Sequence, residues 1–76
     1  MPEYIDVIAC FNTAGEITPL FLNIQDRRLR VDRVTDVRPA ASLKSGGRGI
    51  RYTCLVHGRS IWLYLDEARW FWEPCE

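Results

Sequence analysis

Ile50-Arg51-Tyr52-Thr53-Cys54-Leu55-Val56-His57-Gly58-Arg59-Ser60-Ile61-Trp62-Leu63-Tyr64-Leu65 reads as two alternating strands around a tight turn. Ile50, Tyr52, Cys54 and Val56 alternate with Arg51, Thr53, Leu55 and His57. Ile61, Leu63 and Leu65 alternate with Trp62, Tyr64 and Asp66. Such a period of two belongs to half-buried strands. His57-Gly58 fits a two-residue hairpin turn, although Asn or Asp is the commoner first residue there. A two-residue turn sets the register: Val56 opposes Arg59, Cys54 opposes Ile61, Tyr52 opposes Leu63 and Ile50 opposes Leu65. The aliphatic residues of these pairs then share one face. The other face pairs Thr53 with Trp62 and Arg51 with Tyr64.

Working outward, short runs of Val, Ile, Leu and aromatic residues alternate with turn formers along the chain. A first strand is expected at Tyr4–Phe11, a hairpin loop at Asn12–Gly15 and a second strand at Glu16–Ile24. Pro19 marks an edge or a bulge in that strand, because proline cannot donate to a ladder. After a turn at Gln25–Arg27, a third strand runs from about Arg28 to Val37. Its apolar residues change parity between Leu29, Val31 and Val34, Val37, which predicts a bulge or sharp bend near Asp32 and Arg33. Pro39–Arg48 is the longest irregular stretch, with Ser45-Gly46-Gly47 at its tip. Asp66–Arg69 reads as a turn and Trp70–Glu73 as a last strand. A rival reading makes Ile61–Trp72 a helix, since Leu65, Ala68 and Trp72 have helical spacing. The β-branched and aromatic content and the His-Gly turn favour strands.

The 76 residues allow a single small domain, residues 1–76, and their 47% apolar content excludes a disordered chain. Five or six antiparallel strands in this length fit an all-β, strongly bent small barrel. Two kinds are in view, Src-homology-3-like or, alternatively, oligonucleotide-binding-like. The lack of a helix between the third and fourth strands favours the first. The start, Met-Pro-Glu-Tyr-Ile-Asp-Val, lacks the basic and apolar regions of a signal peptide. No apolar run approaches the roughly 20 residues of a bilayer span. A cytoplasmic protein without membrane contact is expected. The three cysteines, an odd number, do not form a disulfide framework.

Net charge is zero, yet it is unevenly placed. Nine of the ten basic residues fall within residues 27–59, while both ends are acidic. Nine are arginine and only Lys44 is lysine. Arginine stacks on aromatic rings and forks onto phosphate or carboxylate better than lysine. Arg51, Trp62 and Tyr64, with Arg48 and Arg59 near the ends, therefore form a candidate partner-binding face. Its partner would be a protein or, alternatively, a single-stranded nucleic acid. The plainer reading is a polar sheet exterior on which arginines cover exposed aromatics. A rival from another class is a structural subunit that self-associates through its exposed aromatics.

Catalytic chemistry finds little support. His57, the sole histidine, sits at a turn tip away from any nucleophile and orienting acid. Cys54 and His57 lie three apart and so point to opposite faces of one strand. No Cys-x-x-Cys pair anchors a zinc knuckle. Cys10 and Cys54 read as small buried hydrophobes and Cys75 as exposed near the terminus. Ser45-Gly46-Gly47-Arg48-Gly49 lacks the Lys-Ser/Thr ending of a phosphate loop. No enzyme activity, metal or cofactor is expected.

Gly15-x-Ile17-x-Pro19-Leu20, Arg33-Val34 with Val37, Gly46-Gly47-x-Gly49-Ile50-Arg51-Tyr52 and Trp62-x-Tyr64 with Arg69-Trp70-Phe71 form an ordered series. In order and spacing it resembles small uncharacterised β-barrel-like proteins of Gram-positive anaerobic bacteria. The resemblance spans nearly the whole chain and implies a compact barrel-like domain. It rests on turn glycines and core aromatics, so it implies no catalytic residue.

The cysteine and histidine reading has a direct check. Purified protein is expected to carry no stoichiometric zinc, and a chelator should leave its melting temperature unchanged. About one zinc per chain by elemental analysis would reverse the packing role assigned to these cysteines.

Overall fold

A computed structural model describes residues 3–40 and 49–75. All described strands join one antiparallel sheet of seven: β1 (Tyr4–Phe11), β2 (Ile17–Ile24), β3 (Arg27–Arg30), β4 (Arg33–Pro39), β5 (Ile50–Val56), β6 (Arg59–Asp66) and β7 (Arg69–Pro74). Their order is β3-β2-β1-β7-β6-β5-β4, and the sheet curls into a half-barrel. No described residue is helical, so the helix alternative for Ile61–Trp72 falls. Among the described residues no helix is long and apolar enough to cross a membrane.

The hairpin at His57-Gly58 forms in the register set by its turn, from Val56 opposite Arg59 to Ile50 opposite Leu65. Both turn residues have positive φ, 51° and 77°, which matches the right-handed twist of the strands they join. The β2–β3 turn solves the same problem with Gln25 and Asp26, at φ 53° and 61°. In the β1–β2 loop, Asn12 Oδ1 accepts the amides of Ala14 and Glu16, each at 2.9 Å. Gly15 completes that loop at φ 81°, a conformation that penalises a Cβ.

The third expected strand is present but divided, which raises the strand count to seven. The division is a corner at Val31 and Asp32. Val31 N donates to Leu20 O of β2 at 2.9 Å, and Asp32 N donates to Leu55 O of β5 at 2.8 Å. Because every pairing is antiparallel, β3 and β4 run in the same sense. They are one bent path serving β2 with its first part and β5 with its second. A second irregularity lies at Thr35, which is skipped between Val34 opposite Cys54 and Asp36 opposite Thr53. The parity change read between Val31 and Val37 thus has two sources, the corner and this bulge. At Pro19 the expected bulge also forms: Ile8 opposes Phe21 and Ala9 opposes Pro19, leaving Leu20 as the extra residue.

The core lies on the concave face. Leu22, Val31, Tyr52, Cys54, Val56, Leu63, Leu65 and Trp70 are buried there, with Val7, Leu29, Val34 and Trp72 packed around them. Strand alternation places Cys10 on the outside of β1, so its expected burial is corrected to exposure, while Cys54 is buried as expected. Cys75 is half-buried rather than exposed.

The face assignment of β5 and β6 yields a stability prediction. Leu63 has no solvent exposure, so Leu63→Ala should cost about 2–5 kcal/mol. For a chain of this length that is a large share of the roughly 4–11 kcal/mol available. Thr53→Ala, on the opposite face, should cost about 1 kcal/mol or less. Urea melts of the two variants give the comparison, and equal losses would invert the assignment.

Candidate functional site

The convex face of the sheet carries a belt of side chains that the register alone assembles. Arg51 opposes Tyr64 across β5 and β6, Tyr64 opposes Phe71 across β6 and β7, and Phe71 opposes Tyr4 across β7 and β1. Trp62 stands diagonal to Arg51, and the Arg51 guanidinium carbon lies 4.7 Å from the indole ring centroid. The Tyr64 and Phe71 rings stack at 4.8 Å and 8°. Tyr4 meets Phe71 edge-on at 5.9 Å and 85°, and Arg69 covers Tyr4 at 4.2 Å. The belt is therefore aromatic in the middle, with an arginine at each end.

The electrostatics follow from the rings. The negative face of an aromatic π-system attracts a cation, worth about 0.5–1 kcal/mol when exposed and about 2 when desolvated. Arg51 Nε is buried with no hydrogen-bond partner among the described residues. The indole below that guanidinium is the compensation available to it. Tyr64 is only 6% exposed and Phe71 only 1%, so the middle of the belt is closed. Arg51 and Trp62 remain half-buried and accessible.

Of the candidate residues, the structure brings Arg51, Trp62 and Tyr64 together on this face. Arg59 lies elsewhere. It opposes Val56, an inward residue, and lines the rim of a cleft on the concave side. Arg48 lies outside the described residues, as does the Ser45-Gly46-Gly47 tip. Sequence reasoning missed Phe71, Tyr4 and Arg69. A two-residue turn at Glu67-Ala68 pairs Asp66 with Arg69, and counting from it reaches Phe71 opposite Tyr64. Reading Asp66–Arg69 as the turn hid that register. Tyr4 depends on the β1–β7 pairing, for which no local signal exists.

His57 is exposed at the turn tip, and its backbone amide donates to Asp32 Oδ2 at 3.2 Å. Among the described residues no group of three or more His, Cys, Asp or Glu side chains is placed to hold a metal ion. Burial pushes the Cys54 thiol up to about 11, so it stays protonated and unreactive at neutral pH. Burial, then the neighbouring Cys54, also raises Tyr52.

Against known protein families, curated proteins and solved structures, the chain shows no match.

The raised Cys54 and Tyr52 values predict an alkaline loss of stability. Folding holds both groups in their neutral form, so the unfolded chain ionises first as pH rises. The Cys54 contribution is complete below the ordinary cysteine range and disappears as pH climbs toward about 11, and that of Tyr52 is lost as pH rises above the ordinary tyrosine range. Thermal melts should show a falling melting temperature above about pH 9, with a shallower fall in Cys54→Ala. A slope unchanged by that substitution would remove Cys54 as a cause.

Proposed function

We propose that this chain is a non-enzymatic binding module of the small bent-barrel kind, Src-homology-3-like in build, that recognises a protein partner at the Arg51–Trp62 end of its convex face. The carrying observation is the half-buried guanidinium over an accessible indole beside an otherwise closed aromatic belt. Tryptophan and arginine are the side chains that most often dominate binding energy at protein interfaces. The pair is pre-organised by the cation–π contact, so little rotamer entropy remains to be lost on binding. The corner at Val31–Asp32 supports the barrel assignment, since it divides one strand path between two parts of the sheet.

A protein partner is favoured over a single-stranded nucleic acid by the state of the rings. Stacking platforms offer successive aromatic faces to successive bases. Here Tyr64 is covered by Phe71, and one face of Trp62 is taken by Arg51. The self-association reading has its own observation: Phe11 is 71% exposed, with Ile8 and Leu20 also exposed. That surface lies on β1 and β2, apart from Arg51 and Trp62.

The test is affinity capture with the intact chain beside Trp62→Ala and Arg51→Ala. A defined protein should be retained by the parent and reduced about tenfold or more by either change. Mixed single-stranded oligonucleotides should not alter its elution in size-exclusion with light scattering. Salt-sensitive oligonucleotide binding lost in Trp62→Ala would transfer the site to nucleic acid. A dimer that Phe11→Ser makes monomeric, with capture unaffected by Trp62→Ala, would favour the self-association reading.

A further inference from the structure

The concave side holds a second feature, independent of the Arg51–Trp62 patch. Between the β2–β3 turn, the β5–β6 turn and the end of β7 lies an open cleft of about 750 Å³. Small-molecule sites commonly fall between about 300 and 1,000 Å³. Its floor is apolar, formed by Leu29, Val56, Ile61 and Trp72. Arg27 comes to it from β3 and Arg59 from β6, so its two cations stand on different walls. Among the described residues no carboxylate lines the cleft, and neither arginine has an ion pair. Gln25 and Ser60 add neutral hydrogen-bonding groups at its margin.

We propose that this cleft binds a small amphipathic organic anion, an apolar body carrying one carboxylate. The choice follows from the two halves of the lining. An apolar floor that stays partly open favours burial of hydrocarbon, roughly 25 cal/mol per Å² of apolar surface removed from water. Two unpaired guanidinium groups at the rim favour a carboxylate, which accepts paired N–H bonds in the plane of the fork. A neutral hydrocarbon would leave the arginines unused. A cation would meet them in repulsion. At its floor Val56 belongs to the buried core and Ile61 packs against that core.

Decanoate is the probe, added to the intact chain and followed by calorimetry and by tryptophan emission, since Trp72 lines the floor. A single saturable site is expected. Decan-1-ol, with the same hydrocarbon and no charge, should bind about tenfold more weakly or worse. The double change Arg27→Gln with Arg59→Gln should weaken decanoate by about tenfold or more, because the carboxylate then loses its charge-assisted hydrogen bonds. Arg30→Gln, on the same edge strand but away from the cleft, should leave affinity unchanged. Amide shifts on titration should concentrate at Leu29, Val56, Ile61 and Trp72. Those shifts also guard against loss of fold in the double variant, whose own spectrum reports its integrity. Absence of saturable binding in the folded parent overturns the proposal. So does equal affinity for decan-1-ol, or undiminished binding by a folded double variant. Because the convex patch is untouched by these changes, failure here leaves the protein-binding proposal standing.

Discussion

Besides the β1–β7 pairing, two neighbouring amides tie the two parts of this sheet together. Val31 N bonds to β2 and Asp32 N bonds to β5, at 2.9 and 2.8 Å. A made backbone hydrogen bond contributes only about 0.5–1.5 kcal/mol net, but a buried unmade one costs about 1–3. The chain at this point is thereby confined to the one bend that satisfies both. The bend in turn needs the β2 bulge, whose extra residue, Leu20, supplies the first acceptor. It also aims the Asp32 carboxylate at the His57 amide, which fixes the β5–β6 turn against the corner. The Val31 side chain drops into the core between the two parts.

A half-barrel this small has too little concave face for its aromatic content, and the structure answers by burying residues on both faces of its central strands. Leu63, Tyr64 and Leu65 are consecutive and all buried, as are Trp70 and Phe71. Strands covered on both faces lose their alternation and read as continuous apolar runs. The inner members join the core, and the outer members, Tyr64 and Phe71, stack on each other. Arg51 and Arg69 then cover the ends of that outer cluster with aliphatic stems and flat cationic heads. In the proposed binding role packing and recognition share residues: the Arg51–Trp62 contact that shields the convex aromatics is also the pair offered to a partner.

What could be read from the chain depended on how local each pairing was. The His57-Gly58 hairpin was legible because a two-residue turn fixes every pair beyond it, and all seven pairs agree. The Pro19 bulge was legible because proline removes a donor. The bend after Val31 was legible as a parity change, but parity could not separate a corner from the Thr35 bulge that follows it. The β1–β7 pairing joins opposite ends of the described chain through Tyr4 and Ile5, and no local pattern announces it. The exterior position of Cys10 follows from the same limit, because the inner face of β1 is set by its partners. Arg59 illustrates a further one. Its charge suggested the convex face, while the register placed it opposite inward-facing Val56.

The basic stretch in the middle of the sequence has a topological cause. In this strand order the two sheet edges, β3 and β4, are consecutive in the chain. Exposed edges invite pairing with other chains unless charge, proline or irregularity blunts them. β3 is four residues long and carries Arg27, Arg28 and Arg30. β4 carries Arg33, Arg38 and Pro39 and is interrupted at Thr35, while Asp36 binds Arg38 at 2.8 Å. Charge that protects two edges therefore appears as one contiguous basic segment, without a basic face being required. A net charge of zero fits that account better than it fits a nucleic-acid surface, where phosphate neutralisation rewards a general positive excess. Among the described residues of that segment, edge protection leaves two placements unexplained: Arg51, held over Trp62 on a central strand, and Arg59, which lines an apolar cleft together with Arg27. Those are the two positions on which the proposed protein site and the proposed anion site rest.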